Sequence, residues 1–185
     1  MKFKLSFLTV VLAVGFISLT AFTPNKETEY IPLEKIVTSA SPWDGYRTWF
    51  KITKDNPNTG DPTGFVTKRH NGKSGFRDIY INDIGAAVQQ GHAPYKYPEG
   101  TVLVKEAYKS KDALDDGEKF VLTVMIKQKA GSSPETGDWG FVMGAKGKVS
   151  TGTSKWAKFC ANCHVFAASN DYVFMHADFI ASLKK

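Results

Sequence analysis

The stretch TVLVKEAY, residues 101–108, reads as a β-strand. Side chains alternate across a strand, so Leu103, Lys105 and Ala107 share one face and Val102, Val104 and Glu106 the other. Four more stretches have the same texture: FVTKRH (65–70), FRDIYI (76–81), KFVLTVMIKQK (119–129) and DWGFVMGAK (138–146). All are rich in Val, Ile, Phe and Tyr, and Gly, Asn, Asp and Pro clusters such as NGKSG, ALDDGE and GSSPETG separate them. The loops joining TVLVKEAY to KFVLTVMIKQK and KFVLTVMIKQK to DWGFVMGAK are short enough for antiparallel neighbours. Helical patterns flank and interrupt these strands. SPWDGYRTWF (41–50) opens with Ser41 as N-cap and Pro42 at the first helical position, and its aromatic residues recur at helical spacing. DIGAAVQQG (83–91) runs from Asp83 as cap to Gly91 as stop. SKWAKFCANCH starts a helix near Ser154, and NDYVFMHADFIASL reads as a last helix capped by Asn170 or Asp171. The expected fold is α+β: a mainly antiparallel sheet of about five strands with helices at both ends.

The 185 residues suit one domain with a real core, and 42% hydrophobic content rules out a disordered chain. The N-terminus stands apart. Lys2 and Lys4 precede an uncharged run from Leu5 to Phe22, the pattern of an export signal with a cut after Ala21; an uncleaved membrane anchor is the competing reading. Residues 22–40 read as a linker and 41–185 as the domain. Export places the domain in the periplasm, membrane-attached only if the N-terminal segment is retained. Without Lys2 and Lys4 the chain carries 22 basic and 18 acidic residues, interleaved. No block of Lys/Arg with aromatics points to nucleic acid.

KFCANCHVF (158–166) holds both cysteines of the chain, Cys160 and Cys163, followed by His164. Cys-x-x-Cys-His is the attachment sequence of c-type haem. On a helix, positions i, i+3 and i+4 share a face, so two thiols reach the vinyl groups on one haem edge and the histidine reaches the iron. Three alternatives compete. Structural zinc needs four ligands, and no second cysteine pair exists. A thioredoxin-like redox pair needs a βαβ context, and about twenty residues remain after His164. A disulfide over so short a loop constrains little. One covalent haem c, with this helix as its attachment helix, is the expected cofactor.

An electron-transfer haem has a second protein ligand. Met175 is too close to His164 in sequence to cross the ring, and Met143 sits in a strand pattern expected to pack in the core. His70, His92 and His176 read as surface or core histidines. An open distal position follows, and an open iron binds small molecules.

The strand-rich body, YPEGTVLVKE (97–106), TGDWGF (136–141), CANCH (160–164) and NDYVF (170–174) together resemble the cytochrome P-460 family, which includes the β-type cytochromes c′. The resemblance runs from about Trp43 to the C-terminus. It implies an antiparallel sheet packed against haem, usually in a homodimer. In cytochrome P-460 proper a lysine is cross-linked to the ring and the enzyme oxidises hydroxylamine, with nitric oxide chemistry at the same iron. The matching position here is Lys105. The family's distal carboxylate falls at or near Thr123, whose hydroxyl does not titrate near neutral pH. An apolar distal face of Phe76, Phe120 and Met125 is instead similar to the β-type cytochromes c′, which bind nitric oxide and carbon monoxide without evident turnover. Two functions are expected in that order: a protein binding nitric oxide, or an oxidoreductase acting on hydroxylamine and nitric oxide. A simple electron carrier comes third, and a redox partner cytochrome is compatible with the last two.

Overall fold

The computed structural model describes residues 40–62, 75–144 and 147–183, all in one compact unit. The export signal, most of the linker, the FVTKRH stretch and His70 lie outside the described residues. Five strands form one antiparallel meander: β1 (Phe50–Lys51), β2 (Arg77–Ile81), β3 (Val102–Ala107), β4 (Val121–Lys127) and β5 (Trp139–Met143), in the order β1-β2-β3-β4-β5. Four helices accompany them: α1 (Asp83–Gln89), α2 (Lys111–Asp116), α3 (Lys155–His164) and α4 (Ala177–Ser182). No described helix is long and apolar enough to cross a membrane. The α+β fold read from the sequence is the fold observed.

Alternation sorts the sheet into two faces. Ile79, Ile81, Leu103, Trp139 and Phe141 face one core cluster with Ala157 and Ala161 of α3 and with Val173 and Met175. Val102, Val104, Leu122, Val124, Ile126 and Val142 form the second cluster, closed by Trp43 with Tyr46, Trp49 and Phe120 at its margin. β4 shows how the faces differ. Leu122, Val124 and Ile126 are buried, while Thr123 and Met125 on the opposite face are only partly so. In a central strand that row should pack against the next layer. Its partial exposure marks a hollow between sheet and helix.

Several local readings are corrected. Residues 41–50 form no α-helix: turns lead to a 3-10 helix at Tyr46–Thr48, and Phe50 enters β1. Gly45 at φ 73° precedes that segment, in the left-handed region an α-helix does not use. The aromatic residues instead cover the second face of the sheet. α1 is capped by Asn82, one residue before the expected Asp83. α2 occupies what reads as a turn cluster, with Ser110 accepting from the Ala113 amide at 3.1 Å. α3 begins after Ser154, whose hydroxyl accepts from the Ala157 amide at 3.3 Å, as its sequence indicates. The last helix starts only at Ala177, capped by His176, because Asp171 (φ 53°) and Tyr172 (φ 66°) are left-handed. Met143, expected in the core, is exposed near the end of β5.

The second face also holds a buried carboxylate. Glu106 is 1% exposed and accepts from the Tyr46 hydroxyl, from Arg47 Nε at 2.8 Å and from the Tyr108 hydroxyl at 2.6 Å. Burial and the carboxylate raise the pKa of both tyrosines, Tyr46 to about 12. Glu106→Ala would leave those hydroxyls without this acceptor, and should cost about 2–3 kcal/mol in denaturant unfolding.

Candidate functional site: a pocket between the sheet and the cysteine-bearing helix

The hollow is a pocket of about 940 Å³ counting its open mouth, within the range of sites that take cofactor-sized ligands. The sheet contributes Arg77 and Ile79 from β2, Leu103 and Lys105 from β3, Thr123 and Met125 from β4, and Phe141 from β5. Cys160, Cys163 and His164 line it from α3, and Val173, Phe174 and Met175 from the segment that follows. The helical period has brought both thiols and the imidazole to one side, as their spacing requires.

His164 is prepared as a ligand. Its Nδ1 lies 2.8 Å from the Tyr172 carbonyl oxygen, which can only accept, so Nδ1 carries the proton and Nε2 is the nitrogen left for a metal. Phe141 and Phe174 flank the ring, with centroids at 5.5 and 5.4 Å. Burial lowers the His164 pKa to about 4, so the imidazole is neutral at ordinary pH, the state a metal ligand needs. Burial pushes the Cys160 thiol up to about 11, keeping it protonated.

Lys105 points into the pocket from the middle of β3, and its Cα partner on β4 is Thr123. It is half-buried by surface because the cavity lies open beside it, yet protein encloses it deeply. Burial, with Arg77 adding like charge, lowers its pKa to about 8. In the haem-free chain this shift has a consequence for stability. Both states are protonated below pH 8 and the folded state then bears the full penalty, which fades as pH rises from 8 to 10.5. Lys105→Met should therefore stabilise the protein by on the order of 2–3 kcal/mol at pH 7 and by little at pH 10.5, read by urea unfolding at the two pH values.

The other expected site residues separate by strand parity. Thr123 and Met125 line the pocket. Phe120 does not: it packs on the second face, with the Arg47 guanidinium 5.2 Å from its ring centroid. Its even number puts it with Leu122 and Val124. Phe76 lies outside the lining and forms an isolated bridge with Asn58. Met175, set aside as a ligand by its position in sequence, does line the pocket. His92 is exposed, and His176 spends Nδ1 on the α4 cap and Nε2 on Asn170.

Two features of the site go beyond the residues expected from the sequence. Arg77 is 4% exposed and lines the pocket, its Nη1 donating to Thr59 Oγ1, Gly60 O and Gly75 O at 2.6–2.9 Å. A charge in the row of an otherwise apolar strand was the available clue. The Tyr172 carbonyl is backbone and has no clue of its own. The ring of the same residue packs on Gly137, where an added Cβ would lie 2.2 Å from it. Gly137 is also at φ 63°. Gly137→Ala should cost about 1–3 kcal/mol, measured by thermal unfolding.

A sheet-walled apolar pocket facing a helix with two thiols and one poised imidazole defines the site of a haem protein of the cytochrome class. The family model for cytochrome P-460 matches residues 43–175, and the chain belongs to that family. A haem cofactor comes with the membership. No curated protein matches the chain. The residues fit the group: His164 offers one nitrogen to iron, the walls are largely apolar, and Arg77 and Lys105 supply positive charge suited to an anionic cofactor.

Proposed function

We propose that this chain is an exported mono-haem c-type cytochrome whose iron, held by His164, is open towards the sheet and binds small nitrogen oxides such as nitric oxide. The observation that carries this reading is the asymmetry of the pocket. One wall offers a neutral imidazole with its tautomer set by the Tyr172 carbonyl. The facing sheet offers Ile79, Leu103, Thr123 and Met125 with the cations Arg77 and Lys105 among its described lining residues, and no histidine or carboxylate. Cys160 and Cys163 tether the cofactor through thioethers, and a bound haem then supplies an iron that takes a diatomic ligand and changes oxidation state. The facing wall supplies no carboxylate to take a proton from a bound substrate, which favours binding over turnover.

A second reading, oxidation of hydroxylamine at a lysine-linked haem, is favoured by Lys105. Its amine lies in the pocket, and a pKa near 8 leaves a substantial unprotonated fraction, the nucleophilic form. Denaturing mass spectrometry separates the two. Binding without turnover predicts a haem carried on the Cys160–Cys163 peptide and a free Lys105 peptide. A Lys105 peptide joined to the haem, together with hydroxylamine turnover using an artificial electron acceptor, would overturn the first reading.

A further inference from the structure

The pair Lys127–Asp171 joins the end of β4 to the segment after α3, 44 residues away. Lys127 Nζ donates to Asp171 Oδ1 at 2.6 Å and to the Gly137 carbonyl at 2.8 Å, and lies 5.0 Å from the Trp139 ring centroid. Both side chains are well buried, at 13% and 7% exposure. The second carboxylate oxygen accepts from the Tyr97 amide at 2.9 Å, and the Asp171 carbonyl accepts from Trp139 Nε1 at 2.8 Å. The Tyr97 hydroxyl continues to Gln89 Oε1 at 2.7 Å, and Gln89 Nε2 to the Met175 carbonyl at 2.7 Å. The segment is thus pinned at Asp171 and at Met175, on either side of Tyr172.

Buried ion pairs add little stability over apolar packing of the same volume, so such a pair is better explained by what it fixes. What it fixes here is two consecutive non-glycine residues in the left-handed region, Asp171 and Tyr172. That conformation persists only where its surroundings over-determine it. It turns the chain so that the Tyr172 carbonyl meets His164 Nδ1.

We infer that Lys127 and Asp171 are positioning residues for the haem iron: by fixing the Tyr172 backbone they set the strength of the His164 hydrogen bond, and through it the electron donation of the imidazole. Outer partners of a ligating histidine fix its orientation and raise its basicity. The inference rests on His164 being the iron ligand. The network then tunes the metal from outside the pocket.

Resonance Raman of the ferrous holoprotein tests it, together with redox titration. Lys127→Met is expected to shift the iron–histidine stretch to lower frequency and the reduction potential upward, and Lys127→Arg, which can still donate to Asp171, to stay near wild type. An unchanged band and potential in Lys127→Met would overturn the inference. Should Lys127→Met fail to load haem, Asp171→Asn carries the same comparison, and wild-type values there overturn it equally. A wild-type protein with no iron–histidine band would instead show that the ferrous iron is not a five-coordinate histidine complex, a distinct result that removes the reading on which the inference rests.

Discussion

Replacing Cys160 and Cys163 together by serine is expected to abolish retention of haem after extraction with acidified organic solvent. The wild-type chain should keep all of it. The two thiols lie one helical turn apart on α3 and line the same pocket as His164. The two form no disulfide, and burial keeps the Cys160 thiol in its protonated form. Addition across a haem vinyl forms one carbon–sulfur bond and places the thiol hydrogen on the neighbouring carbon, so no outside oxidant is needed. The double variant still presents His164 with its Tyr172 partner. It should therefore take up haem that extraction then releases. Either single variant should retain haem through one remaining thioether. Extractable haem in the wild type would contradict covalent attachment.

The largest expected loss of stability is at Trp139. Its side chain is fully buried, its ring meets Tyr97 edge-on at 5.9 Å, and its Nε1 donates to the Asp171 carbonyl. Trp139→Ala removes a large core side chain and leaves that carbonyl without its donor. The cost should be about 3–5 kcal/mol, or a fall of roughly 10 °C or more in Tm for a domain of this size. Trp139→Phe keeps most of the volume and loses the hydrogen bond, so it should cost about 1–2 kcal/mol. Urea unfolding of both variants separates the packing contribution from the hydrogen-bond contribution. Equal losses would mean that the indole N–H dominates.

Strand readings survived contact with the structure where one local rule governs them. Alternation along TVLVKEAY put Lys105 on one face with Leu103, although by alternation alone such a lysine more often meets solvent; both line the pocket, and the helical period placed Cys160, Cys163 and His164 together. Ser154 marks its helix because a serine cap acts within one turn. The failures occur where distant contacts override local pattern. The aromatic residues from Trp43 to Phe50 have helical spacing, but they cover a sheet face reached through turns and a short strand. The expected helix start at Asn170 gives way to left-handed Asp171 and Tyr172, a conformation tied to Lys127 on β4. Phe120 was grouped with Thr123 and Met125 although its parity differs, and the sheet separates them. The blocks around Tyr97, Trp139 and Asp171 carried the resemblance, and they touch one another through hydrogen bonds. No spacing rule along the chain foreshadows those contacts.

The absorption spectrum of the purified ferrous protein, without added ligand, tests most directly whether the iron is open. His164 as the single axial ligand predicts a high-spin, five-coordinate form that converts on titration with nitric oxide. A low-spin, six-coordinate form that becomes high-spin in Met125→Leu or Met175→Leu would contradict it, and would make the protein an electron carrier with a methionine from the pocket wall on its iron.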